Sequence, residues 1–168
     1  MSDLNAPVGD TRPTRLPVTL APITRSNWQY VIALRVADAQ SANLASNLYS
    51  LAEAYVEPTC QPRAIVAGAT VIGFVMYEYL SWCDAYNIPR YMIDYRWQGH
   101  GYGRAGLVAL IDALGEDHPG AALSISLLPD NEGARALYAS LGFEDTGEMH
   151  HGEIVMRRPG APDADTPG

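Results

Sequence analysis

"QGHGYGRAG", residues 98–106, places four glycines in nine positions between the run RYMIDY (90–95) and the run LVALIDALGE (107–116). A strand ending near Tyr95, a glycine-rich turn and a new helix bring unpaired N–H groups and the positive end of a helix dipole to one point. Such a point binds phosphate. Glycine is needed there because a Cβ blocks close approach, and because successive amides turn inward only at unusual φ. The alternative is a turn that merely reverses the chain, but a tight turn rarely needs glycine at every second position. The stretch predicts a strand, an anion-binding loop and a helix in succession.

Outward from this loop the pattern alternates between strand and helix. Residues 16–23 (LPVTLAPI) read as a first strand, and Thr24, Ser26 and Asn27 offer caps for a helix over WQYVIALRV (28–36). A second helix is expected over about 41–56, with Leu44, Leu48, Leu51 and Tyr55 as one apolar stripe and Pro58 closing it. Residues 63–80 form a hairpin around Gly68, and 88–95 a further strand. The helix after the glycine loop covers about 104–114, followed by a strand ALSISLL (122–128), a helix NEGARALYASL (131–141) and a last strand or strand pair within 143–156. That order is a mixed α/β layer fold. Residues 16–158 are expected to form one domain, and residues 1–15 and 159–168, rich in proline and glycine, two disordered tails.

Composition narrows the function. The 168 residues carry 11 arginines, no lysine and 19 acidic residues, for a net charge of -8. That balance disfavours nucleic acid and favours cationic partners. Cys60 and Cys83 form neither a disulfide framework nor a metal motif, and adjacent His150 and His151 face opposite sides of a strand, so no metal is expected. With no basic leader and no long apolar run, the reading is a cytoplasmic protein with no membrane partner.

Two nucleotide patterns fail on context. Gly101, Gly103 and Gly106 spell G-x-G-x-x-G, but the loop lies deep in the chain and the next strand contains no acidic residue. There is no G-K-[ST] either. Gln98, Gly101 and Gly103 instead spell Q-x-x-G-x-G, and Arg96, Gly99 and Gly101 fit the related R-x-x-G-x-G. With MID before it and LLPDNEGARALYASLGFEDTGE downstream, the chain resembles the GNAT N-acetyltransferase superfamily over roughly 63–156. The resemblance implies a mixed, mostly antiparallel sheet flanked by helices, with a splayed pair of strands holding acetyl-coenzyme A.

Carried over residue by residue, it implies that the loop Gln98, Gly99, His100, Gly101, Tyr102, Gly103 and Arg104 surrounds the pyrophosphate. The backbone of Ile93 and Asp94 would hold the pantetheine arm and acetyl carbonyl, with the Asp94 side chain read as an exposed carboxylate. Asn131, an expected helix cap, and Arg135 join the cofactor set, and Arg96, Arg104 and Arg135 are candidate phosphate contacts. Tyr138 is the candidate general acid. A phenol of reference pKa about 10 is protonated at neutral pH and can donate to a leaving thiolate. Its competing role is packing with Leu137 and Leu141. Glu78 and Asp84 are the candidate bases. No Cys/His pair offers a covalent route, so transfer is expected to be direct.

The stretches ASNLYSLAEAYVEP, IGFVMYEY and YMIDYRWQGHGYG resemble bacterial diamine and spermidine or spermine N-acetyltransferases. The acceptor would then be a polyamine-like amine held by carboxylates and aromatic faces, with Glu53, Tyr77 and Asp84 as binding residues. The loop 81–88 departs from that pattern. An aminoglycoside or other amine acceptor, and a cofactor sensor without turnover, remain open alternatives. A homodimer is implied by the resemblance alone.

Overall fold

The computed structural model describes residues 15–41 and 45–160. The expected tails lie outside those residues except at their inner ends. The chain runs β1 (Val18–Pro22), α1 (Trp28–Ala33), α2 (Asp38–Ser41), α3 (Asn47–Val56), β2 (Cys60–Ala67), β3 (Thr70–Leu80), β4 (Ala85–Ile93), α4 (Tyr102–Asp117), β5 (Ala122–Leu127), α5 (Glu132–Ala139), β6 (Glu144–His150) and β7 (Glu153–Arg158). The strands form one seven-stranded sheet in the order β1-β2-β3-β4-β5-β7-β6. Every neighbouring pair is antiparallel except β4 and β5. Parallel neighbours need a crossover, and α4 supplies it. The expected mixed, mostly antiparallel sheet is therefore present, and its last strand is a pair.

A hydrophobic cluster covers each face of the sheet. Ile65, Val75 and Ile125 pack with Leu107, Leu110 and Leu114 of α4 and Tyr138 of α5 on one side. On the other, Phe74, Met76 and Met92 pack with Val31 of α1, and Leu51 and Ala54 of α3 lie against them. Among the described residues no helix is long and apolar enough to cross a membrane.

The helix α3 corrects the expected stripe. It begins at Asn47 because the Ser46 side chain caps it, accepting from the Tyr49 N–H at 3.1 Å. Leu44 lies outside the described residues, while Leu48 and Tyr55 are 59% and 89% exposed. The inward face is instead Asn47, Ser50, Leu51 and Ala54, again at i, i+3, i+4, i+7. Two of these are polar and both are satisfied. The Asn47 amide donates to Val31 O at 2.9 Å, and the Ser50 hydroxyl to Ser46 O at 3.1 Å. A hydrogen bond to α1 and one within the helix's own first turn set its face roughly one position from where apolar spacing placed it.

Asp94, directly after β4, is fully buried rather than exposed. Its carboxylate accepts from the Arg35 N–H (3.0 Å), the Arg96 N–H (3.1 Å) and Arg96 Nε (2.7 Å). The Asp94 N–H donates to Ile72 O and the Tyr95 N–H to Arg35 O, both at 2.8 Å. Asp94 thus pins the end of β4 to β3 and to the chain leaving α1. Burial alone would raise its pKa, but the donors from Arg96 and the Arg35 backbone outweigh burial and hold the carboxyl below the usual carboxylate range.

Replacing Asp94 by asparagine is expected to cost about 2–4 kcal/mol, because buried donors then face an uncharged, partly mismatched group. A depressed folded pKa contributes stability that is present above the unfolded value, about pH 4, and lost as pH falls through the lower folded value. Urea unfolding at descending pH should show this slope in the wild type and a flatter one in Asp94→Asn. Equal slopes would remove Asp94 from this role.

Candidate active site

The parallel ladder between β4 and β5 lasts four pairs, Ala85↔Ala122 to Ile88↔Ile125, and stops one residue before Pro89. On the other edge of β4 the register passes from Glu78↔Asn87 to Met76↔Arg90, so Ile88 and Pro89 together oppose the single residue Tyr77. A bulge bends and twists its strand, and proline brings no amide hydrogen to a ladder. Beyond this point β4 and β5 diverge. The wedge between them is a cavity of about 940 Å³, walled by Arg90, Tyr91 and Ile93 of β4, Ser126 and Leu127 of β5, and Asn131, Leu137 and Tyr138 of the α5 segment. Gln98, Gly99 and Gly103 of the glycine loop close one end.

The loop meets the sequence expectation at two of its three leading glycines. Gly99 and Gly101 have φ of 76° and 78°, the left-handed region that favours glycine. Gly101 is the N-cap of α4, whose first intrahelical bond runs from the Ala105 N–H to Gly101 O at 3.2 Å. The amides of Tyr102, Gly103 and Arg104 therefore belong to the open first turn. Gly103 has an ordinary helical conformation, and a Cβ there would meet Leu137 Cδ2 at 3.5 Å, a normal contact. Its lack of a side chain keeps the cavity open rather than relieving strain. Gly106 serves packing, since a Cβ would stand 2.6 Å from the Tyr91 hydroxyl. That hydroxyl donates to Gly103 O at 2.6 Å, fixing α4 on β4.

Several predicted cofactor residues are engaged in holding the site together. The Gln98 amide donates to Ile93 O at 2.9 Å, tying the loop to the strand end. Tyr102 is buried, its ring edge-on to Trp97 at 5.3 Å, so only its backbone is available. His100 is exposed. Arg96 is held by Asp94, and Arg104 Nη1 donates to Ser140 Oγ at 2.6 Å, bridging α4 and α5. Arg135 pairs with Asp145 at 3.7 Å and does not line the cavity, which corrects its expected place. Asn131 does line it while capping α5, accepting from the Ala134 N–H at 3.1 Å.

Tyr138 packs in the core and also lines the cavity. It is 7% exposed, packs at 6.0 Å from the Phe143 ring, and forms part of the cavity wall. Burial, with the nearby Glu153 carboxylate, pushes its pKa up to about 12. The phenol is protonated throughout the neutral range.

The expected acceptor set is divided by the sheet. Tyr77 is 8% exposed and packs edge-on against Tyr86 at 5.9 Å, within the α4-side core. Asp84 accepts from the Tyr79 hydroxyl at 2.7 Å, beside the Tyr79 ring that stacks on His118 at 3.9 Å. Neither reaches the wedge, because alternation along β3 sends Tyr77 and Tyr79 to the α4 face. Glu53 lies on the opposite face, held by Arg90 at 3.2 Å. Glu78 accepts from the Asn87 amide at 2.9 Å and is not part of the cavity wall. Glu78 stands opposite Cys60 across β2 and β3, the Cys60 N–H donates to Glu57 O and the Glu57 N–H to Glu53 O, so the three acidic residues are neighbours, and burial with their charges raises the Cys60 thiol pKa.

Sequence reading missed several cavity residues, Glu153 and Arg90 among them. Glu153 enters from β7. Arg90 interrupts the apolar alternation of IPRYMI, a signal that was visible. Its Nε is buried and, among the described residues, has no hydrogen-bond partner. A buried donor without an acceptor suits a site that receives an oxygen-bearing ligand. No group of three or more His, Cys, Asp or Glu residues disposed to hold a metal occurs among the described residues.

Residues 28–143 match the acetyltransferase (GNAT) family. The chain belongs to that family. It is 28% identical over 148 residues to the spermine/spermidine N(1)-acetyltransferase of Bacillus subtilis, covering 84% of this chain and 97% of that protein. By structure it is similar to a ribosomal-protein alanine N-acetyltransferase from Escherichia coli, with a TM-score of 0.67, 20% identity, and coverage of 89% and 99% of the two chains. It is also similar to the PaiA N-acetyltransferase of Thermoplasma acidophilum in complex with coenzyme A, with a TM-score of 0.65, 11% identity, and coverage of 84% and 98%. As a GNAT acetyltransferase, the chain is an acyl-CoA-dependent enzyme whose wedge and glycine loop fit that cofactor.

Two glycine variants separate binding from folding. Gly101→Val and Gly103→Val are each expected to raise the coenzyme A dissociation constant at least about tenfold, or 1.4 kcal/mol. Only Gly101→Val should also lower stability, by about 1–2 kcal/mol, because a β-branched residue is strained at positive φ. Calorimetric titration beside thermal unfolding checks both, and an unchanged dissociation constant in a folded Gly101→Val protein would refute the loop's role.

Proposed function

We propose that the protein transfers the acetyl group of acetyl-CoA to a primary amine of a small polycation of the spermidine or spermine class. The observation that carries the reaction is a protonated, buried phenol on the wall of a wedge that ends at a glycine loop. The acceptor class is supported by the relative's name, by the net charge of -8 and by the neighbouring positions of Glu53, Glu57 and Glu78 around Cys60. Arg90 already neutralises Glu53, leaving Glu57 and Glu78 to attract the acceptor's cationic part.

Acetyl-CoA would supply an activated thioester. The residues' work is to bind, orient and protonate. Asn131 and the open first turn of α4 lie where the cofactor would enter, and Gln98 keeps the Ile93 end of β4 in place. The amine must arrive uncharged, since its lone pair forms the new C–N bond as the C–S bond breaks. One proton leaves the nitrogen and one reaches the sulfur. A phenol of pKa about 12 is some 3 to 4 units weaker as an acid than an ordinary thiol. Tyr138 therefore acts first as a hydrogen-bond donor to the sulfur as charge develops, which shields the thiolate until protonation is complete.

Tyr138→Phe is expected to lower kcat about 10²- to 10³-fold while leaving coenzyme A affinity nearly unchanged. Because the Tyr138 pKa is raised to about 12, the pH profile of the wild type should show no basic limb from this residue below about pH 11. Thiol release measured with spermidine, spermine, putrescine and an aminoglycoside names the acceptor. Saturation by the aminoglycoside alone would overturn the polyamine assignment, and tight cofactor binding without turnover of any amine would favour a sensor.

A further inference from the structure

We infer that Arg15 is a ligand for the diphosphate of acyl-CoA at the mouth of α4, which rests on the cofactor reading above. Arg15 lies just before β1, far in sequence from the glycine loop, yet its guanidinium stands directly over Gly101. A Cβ on Gly101 would overlap Nη2 and Cζ of Arg15. Gly101 is held to glycine by its φ of 78°, and the flexible end of the arginine lies over its open face.

The position of Arg15 is built into the sheet. The Gly68 N–H donates to Pro17 O at 3.1 Å, and the β1 ladder starts at Val18↔Ala67. Leu16 lies against Gly68, where a Cβ would meet its Cδ1 at 3.5 Å. Val18 and Leu20 of β1 pack against the cluster that contains Leu107 and Leu110 of α4. The same packing that joins β1 to α4 brings Arg15 to the helix mouth.

This arrangement puts like charges together. A helix N-terminus carries positive partial charge and favours anions over cations. The ion pairs among the described residues are Arg90 with Glu53, Arg96 with Asp94, Arg135 with Asp145 and His150 with Glu148, and none of them includes Arg15. Arg96 and Arg104, the arginines nearest the loop in sequence, are held by Asp94 and Ser140. An anion between the guanidinium and the first-turn amides turns both repulsive terms attractive. A planar guanidinium gives two parallel donors to phosphate oxygens.

Calorimetric titration of the full chain tests this with coenzyme A, dephospho-coenzyme A and pantetheine, in wild type, Arg15→Ala and Arg15→Lys. Arg15→Ala is expected to raise the coenzyme A dissociation constant about tenfold and to flatten its salt dependence, with Arg15→Lys between. The same ratio is expected for dephospho-coenzyme A, which keeps the diphosphate, and none for pantetheine. The ligand-free melting temperature of Arg15→Ala should not fall. Equal coenzyme A affinities in wild type and Arg15→Ala would overturn the inference, as would an equal loss with pantetheine. A ratio that vanishes with dephospho-coenzyme A would assign Arg15 to the 3′-phosphate instead and overturn the diphosphate assignment. A wild-type chain that binds no coenzyme A would overturn the cofactor reading itself.

Discussion

Pro89 has no amide hydrogen to give, and with Ile88 it forms a bulge where two residues of β4 oppose one of β3. The parallel pairing of β4 with β5 ends immediately before it. A sheet that continued here would fill its own interior with backbone hydrogen bonds and leave no room for a ligand. Because it stops, the β4 backbone from Arg90 to Ile93 faces a cavity, and the crossover helix between the two parallel strands starts at the same end. The wedge, the glycine loop and the α5 wall all depend on that interruption. Asp94 then keeps it in register, tying the diverging strand to β3 and to the chain after α1.

Charge is distributed around the wedge with few free groups. Arg96 and Arg104 are structural, joining β4 to its buried carboxylate and α4 to α5. On the α1 and α3 face, Arg90 meets Glu53 while its Nε points to no partner among the described residues, a cost of about 1–3 kcal/mol in a folded protein unless a ligand relieves it. On the α4 face, burial makes Tyr138 a weaker acid than a free tyrosine. That is the direction the proposed donor role would need. In the proposed reaction the same shift would suit hydrogen bonding to a thiolate better than outright proton transfer.

Local patterns exposed most of the fold. Alternation located β1 to β5, the NEG segment located α5 through a true Asn131 cap, and the glycines at 99 and 101 have the left-handed backbone that their spacing suggested. Where the reading failed, side chains had found partners from distant segments. The face of α3 followed the hydrogen bonds of Asn47 and Ser50 rather than the leucine spacing. Asp94 looked like a surface carboxylate until the Arg35 backbone, from a separate element, came to it. Tyr77, Asp84 and Glu53 looked like one acceptor set because they share a composition, but alternation along β3 sends Tyr77 to the α4 face, Asp84 sits in the turn beside Tyr79, and Glu53 comes from α3 on the opposite face.

By itself the sequence determined most of the order of elements, the left-handed glycine turn before α4 and the kinship with acetyltransferases, since each rests on spacing within a few residues and on the conformational freedom of glycine. Which charges remain available was decided only by the tertiary structure. Ion pairing and burial depend on groups brought together from far apart in the chain: Asp94 with Arg35 and Arg96, Arg104 with Ser140, and Arg15 with Gly101. A linear pattern contains the residue types for such contacts, but the packing of β1 on α4 and of α1 on the sheet chooses the partners.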